Sequence, residues 1–128
     1  MARKVLQVIE TAYRGTLEEQ DDTVVWITHA MKGAGLVTDV LLRGNAVNYP
    51  VTAQDASGLE FGGRKQTQPP RIANDLAKLL EKGVTVYVVS DDLTKRGIAM
   101  PELIGGLKPV AAAELPALFE GYDSIWHW

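Results

Sequence analysis

The residues best placed to do chemistry in this chain are Ser90, Asp91 and Asp92, followed by Lys95, Arg96 and Gly97. They come directly after Val84–Val89, an apolar run rich in β-branched residues that suits a strand buried on both faces. The carboxyl end of such a strand is where open α/β sheets bind ligands. Two adjacent carboxylates offer an acid/base pair in principle. Neighbours in the first turn of a helix point in different directions, however, so the pattern predicts helix capping before proton transfer. Arg96 then lies where the negative end of that short helix falls. The chain has no cysteine, which excludes disulfides, thiolate metal ligands and any thiol nucleophile. Its two histidines, His29 and His127, are far apart in sequence, so no helical metal-binding pair forms. No catalytic residue, no metal and no cofactor is expected.

A second candidate follows the first apolar run. Thr11, Tyr13, Arg14, Gly15 and Thr16 have the hydroxyl and glycine content of loops that hold phosphates in flavodoxin-like proteins. Glu18, Glu19 and Asp21 follow and would repel a phosphate, so a solvated loop is the competing reading. Together, Tyr13, Arg14, Gly15, Ser90, Asp91, Asp92 and Arg96 are the candidate ligand-binding residues.

These residues need a scaffold, and the hydrophobic pattern supplies one. Strands are predicted at 4–9, 36–42, 84–89, 107–110 and 123–128. Between the first two, a helix capped by Asp22 or Thr23 presents Val24, Ile27, Met31 and Ala34 as an apolar stripe for the sheet. His29 falls off that stripe and reads as a surface or interface residue. Pro70 suits the first turn of a second helix, whose buried face is Ile72, Leu76, Leu79 and Leu80. A last helix runs from Ala111 to Glu120. The segment 46–70 shows no periodicity and reads as a lid, a binding loop or a surface excursion. The order βαβ, long loop, αβαβαβ implies an α/β fold with a mostly parallel five-stranded sheet and helices on both faces, a three-layer sandwich.

At 128 residues the chain reads as one domain, 1–128. A formal net charge of −3 argues against a nucleic-acid surface, and no apolar segment is long enough to span a bilayer. A cytoplasmic location is expected, with no membrane partner.

At the level of particular segments, the sequence resembles the DsrE/DsrF/DsrH family, which includes the Tus sulfur-relay subunits. VYVVSDDLTKRGI resembles the family's strand-and-turn segment and is most similar to the DsrH (TusB-like) branch. KVLQVIETAYRG resembles the first strand and its aromatic-glycine loop, DVLLRGNAV the second strand and turn, and DSIWHW the tryptophan-ending final strand. The resemblance covers nearly the whole chain. It implies a DsrE-like fold, flavodoxin-like in outline, and a homo-oligomer, with dimer, trimer and hexamer open. Family members in sulfur relay carry a cysteine persulfide, in the DsrE branch at the end of the strand matching Val84 to Ser90, where Val89 and Ser90 offer no thiol and a hydroxyl forms no persulfide. The expectation is therefore a non-catalytic subunit or partner in sulfur trafficking, contacting a sulfur-carrier or related protein. A small-molecule or nucleotide-binding enzyme or sensor that uses the strand-end loops is the alternative. Tyr49, Phe61, Trp126, His127 and Trp128 are the expected interface residues, because aromatics concentrate at interface cores.

Overall fold

The computed structural model describes residues 3–13 and 22–128. Strands β1 (Lys4–Ile9), β2 (Val37–Leu42), β5 (Val86–Val89), β6 (Lys108–Val110) and β7 (Ser124–His127) form one sheet in the order β6-β5-β2-β1-β7. Every pairing in it is parallel. The α/β class, the five-stranded sheet and the internal place of β5 all match the sequence-based expectation.

Chain direction explains how the helices are distributed. From β1 to β2, β5 and β6 the chain advances one way across the sheet, and right-handed crossovers put every connection on one face. Helices α1 (Thr23–Gly33), α2 (Ile72–Glu81) and α3 (Ser90–Lys95) accordingly contribute to one core with Val40, Leu42, Val86 and Val88. The chain then returns across the whole sheet to β7. The same handedness puts α4 (Leu115–Glu120) on the opposite face, against Leu6, Val8, Leu41 and Val89. One six-residue helix cannot cover that face, and Ile125 on β7 stays 40% exposed.

Helix α1 is capped as anticipated: Asp22 Oδ1 accepts from the N–H groups of Val24 and Val25 at 2.8 and 3.0 Å. The apolar stripe needs correction. Val24, Val25 and Thr28 are the buried positions, whereas Ile27 and Met31 are only half-buried. The helix is rotated so that Ile27 and Met31 face the sheet edge at β7, and Thr28 is accommodated because its hydroxyl donates to the Val24 carbonyl at 2.7 Å. Pro70 lies outside α2, which starts at Ile72 after Arg71.

The segment 46–70 is more ordered than its lack of periodicity implies. A 3₁₀ helix over Gly44–Asn48 buries Ala46 and Val47, and Val51 bridges to Leu103. Further on, β3 (Glu60–Phe61) and β4 (Arg64–Lys65) form a hairpin. Its turn residues Gly62 and Gly63 have φ of 56° and 80°, the left-handed pair that tight hairpin turns require.

His29 ties α1 to α2: its Nε2–H donates to the Asp75 carbonyl at 2.9 Å. Burial lowers its pKa from the ordinary 6.5, and Lys82 and Lys78 reinforce the shift against the raising effect of the carbonyl. The unfolded chain then binds a proton that the folded chain resists. Stability should fall as pH drops through 6.5 and level off below the folded-state pKa. Chemical denaturation at pH 7.5 and 5.5 should show a smaller loss for His29→Gln, which keeps a donor for the carbonyl but does not titrate. An equal loss in both proteins refutes the assignment.

Candidate functional site

Parallel strands and right-handed connections bring the loops after β1, β2, β5 and β6 to one end of the sheet. The candidates Tyr13, Ser90, Asp91, Asp92 and Arg96 all lie there. Arg14 and Gly15 lie outside the described residues.

The Ser90–Asp91–Asp92 group does not act as predicted. It does not cap its own helix: α3 has Val89 at its N-cap and no side-chain cap hydrogen bond. Each side chain instead crosses to a neighbouring loop. Asp92 Oδ2 accepts from the Gly44 N–H at 2.8 Å, securing the turn after β2. Asp91 Oδ1 accepts from the Ala112 N–H at 2.8 Å, and the Ser90 hydroxyl donates to the Val110 carbonyl at 3.3 Å, so these two hold the segment after β6. The physical reason is local. A six-residue helix between parallel strands places its first-turn side chains beside adjacent strand ends, whose free N–H groups need acceptors. Glycine suits position 44, since its φ is 55° and an added Cβ would sit 3.1 Å from Glu10 Cγ, which would have to shift. Arg96 completes the lattice, its guanidinium donating to Asn45 Oδ1 at 2.8 Å and to the Asp92 carbonyl at 3.2 Å. All four polar side chains at this strand end therefore bond to loops of the fold.

Tyr13 belongs to a different site. Its ring packs on Tyr49 with centroids 5.2 Å apart, and its hydroxyl donates to Gln54 Oε1 at 3.2 Å. The Gln54 amide in turn donates to the carbonyls of Tyr49 and Val51 at 2.7 and 2.9 Å. Tyr49 is wholly buried, with its hydroxyl donating to Asp22 Oδ2. This corrects the interface assignment of Tyr49, which is a core residue of its own chain. The Gly44–Asn48 turn folds it inward, an outcome that no periodicity in 46–70 signals. Tyr13 is 57% exposed, and its ring borders a pocket of about 640 Å³ between the 52–57 loop, Pro69–Pro70 and the start of α2. Partial burial raises the Tyr13 pKa, so its phenol stays protonated at neutral pH. Gln54 and the α2 start were not foreseen as site residues. The Pro69–Pro70 pair next to a helix start was the available signal.

A third polar group occupies the point where chain direction reverses, between β1 and β7. Glu10 accepts from His127 Nε2 at 3.1 Å and pairs with Arg43 at 3.4 Å. Backbone closes the space between the strands, with the Trp128 carbonyl accepting from the Glu10 N–H at 3.1 Å. His127, an expected interface residue, thus fastens the edge strand to its neighbour.

The remaining aromatic candidates are exposed. Phe61 is 65% exposed on the β3–β4 hairpin, and Trp128 is 40% exposed. Trp126 is half-buried and, with Trp128, Ile27 and Met31, lines an apolar groove of about 530 Å³ beside β7. Trp26, one helical position from Ile27, is 67% exposed. No group of three or more potential metal ligands occurs among the described residues, and none of their helices is long and apolar enough to cross a membrane.

No protein-family model matches the chain, and no curated protein matches it in sequence. Solved structures do match it. The ychN protein from E. coli superposes with a TM-score of 0.72 at 19% identity, over 100% of both chains. BT1422 from Bacteroides thetaiotaomicron, a conserved protein of unknown function, gives 0.67 at 16% identity, over 98% of this chain and 95% of that one. MTH1491 from Methanobacterium thermoautotrophicum, also of unknown function, gives 0.62 at 15% identity, over 98% and 99%. The chain has the YchN-like, DsrE-like α/β fold.

Proposed function

We propose that this protein is a non-catalytic binding subunit that assembles with copies of itself and contacts a partner protein in the cytoplasm. The DsrE/DsrF/DsrH resemblance makes sulfur trafficking the setting, with a sulfur-carrier or related protein as the partner. The observation that carries the reading is the apolar face at the edge strand. Trp128 is exposed and, with Ile27, Met31 and Trp126, lines the groove beside β7, whose outer edge pairs with no strand among the described residues, and Trp26 is exposed on the helix that carries Ile27 and Met31. Native proteins cover such edges, and tryptophans dominate interface energetics. The structural hydrogen bonds of Ser90, Asp91 and Asp92 support binding over catalysis, and argue against an enzyme or sensor working through those side chains.

Light scattering of the intact chain should report a multiple of 13.9 kDa at micromolar concentration. The double variant Trp26→Ser/Trp128→Ser should move the mass towards one chain while leaving the fold intact, since both side chains are exposed. A wild-type mass near 13.9 kDa, or an unchanged assembly in the variant, refutes the assembly. Affinity capture with wild-type bait should then recover a sulfur-carrier protein. Recovery of none refutes the partner.

A further inference from the structure

We infer that the pocket beside Tyr13 is a binding site for a flat heteroaromatic molecule of about nucleoside size. Its volume, about 640 Å³, falls within the range of small-ligand sites. Its construction indicates the ligand class. An exposed tyrosine on a loop ordinarily samples several rotamers, but this one is held twice. Its ring rests on Tyr49, which is anchored to the buried Asp22, and its hydroxyl is bonded to Gln54. Gln54 is itself held by two backbone carbonyls. A tyrosine ring more than half exposed is thus held in place by a bonded network that reaches into the core. A fixed aromatic platform at a pocket wall favours a flat π-system, which stacks without losing rotamer entropy in the protein.

The rest of the wall agrees. The half-buried Ala56, Pro69 and Pro70 provide apolar surface, the proline pair is conformationally stiff, and Asp55, Ser57, Arg71 and Asn74 bring polar and charged groups to the edge. This combination of apolar surface and several polar side chains suits a heterocycle with ring nitrogens or exocyclic oxygens. The pocket shares no residue with the groove beside β7, so the two sites succeed or fail independently.

The test uses the full chain with adenosine, guanosine, uridine and riboflavin as probes and a non-aromatic disaccharide as control. At least one heteroaromatic probe should raise the melting temperature, and the disaccharide should not. Amide chemical shifts should move at Tyr13, Gln54, Ala73 and Asn74. Tyr13→Ala should weaken binding at least about fivefold, the lower end of what a stacked ring contributes, and Tyr13→Phe should retain most of it. Ser57→Trp, at an exposed position, should block the pocket without disturbing the core. If Tyr13→Ala does not fold, the shift map and Ser57→Trp decide alone. Silence from every probe at millimolar concentration, shifts that map elsewhere, or full affinity in Ser57→Trp overturns the assignment.

Discussion

A Val88→Asp chain is expected not to fold. Val88 is wholly buried in β5, in the core shared with α1 and α2, where nothing can pair a carboxylate. The side chain would either remain charged in an apolar medium or take up a proton. Taking up the proton at neutral pH costs roughly 4 kcal/mol, and keeping the charge against a burial shift of about 3–5 units costs roughly 4–7 kcal/mol. Losing the buried valine adds roughly 1.5–3 kcal/mol. Together these match the roughly 5–15 kcal/mol by which a domain is stable. Circular dichroism and solubility measure the outcome. Lys108→Asp is the control, because it puts the same charge on the exposed part of neighbouring β6 and should change stability by no more than about 0.5 kcal/mol. A cooperatively melting, soluble Val88→Asp protein contradicts the internal position of β5.

Asp22→Ala should have the second largest effect. Asp22 is fully buried, caps α1 through Oδ1 and accepts the Tyr49 hydroxyl through Oδ2. Losing the cap costs about 0.5–2 kcal/mol, and a buried hydroxyl left without an acceptor costs about 1–3 kcal/mol more. The sum of about 1.5–5 kcal/mol should lower the melting temperature by roughly 10 °C. Tyr49→Phe alone should cost about 1 kcal/mol, since Asp22 keeps its two amide donors. The Asp22→Ala/Tyr49→Phe chain should then lose less than the two single changes added, because the stranded hydroxyl is gone. Strict additivity in a denaturation cycle would show that the Tyr49–Asp22 bond carries no energy. The same cycle bears on the proposed ligand site, because Tyr49 is the surface on which Tyr13 rests.

A buried amide in the same region has no such arrangement. Gln7 lies fully buried in β1, and neither side-chain atom has a hydrogen-bond partner among the described residues. An unsatisfied buried amide is unfavourable by about 1–3 kcal/mol, so the core is not optimised for stability at this position. On the opposite face, Tyr122 shows the satisfied case. Its hydroxyl donates to Asp39 Oδ2 at 2.5 Å, and burial and that carboxylate hold its pKa far above the ordinary range for a phenol. It joins the β6–β7 connection to β2 and takes no part in proton transfer at neutral pH.

Much of the scaffold was legible from local pattern. Short β-branched runs bounded by glycine and polar residues located the five strands, and Asp22 before an apolar helix located the cap. The alternation of strand and helix implied the parallel sheet. The absence of cysteine by itself excludes thiol chemistry, and the DSIWHW alternation places both tryptophans on one face of the last strand. These features depend on interactions within a few residues, which sequence order encodes directly.

The site was decided by tertiary structure. Which N–H group a carboxylate meets depends on the element packed beside it, so Asp91 and Asp92 bond to the loops after β6 and β2 and not to their own helix. The rotation of α1 is set by its packing against the sheet and α2, including the bond from His29, and this leaves Ile27 and Met31 at the edge groove. Tyr49 turns inward because a buried aspartate 27 residues away accepts its hydroxyl, a pairing with no local signature. The pocket beside Tyr13 exists only because parallel crossovers return the start of α2 to the loop after β1. Residues so distant in sequence become neighbours through strand order and crossover handedness, and a site assembled in that way is defined only once the chain has folded.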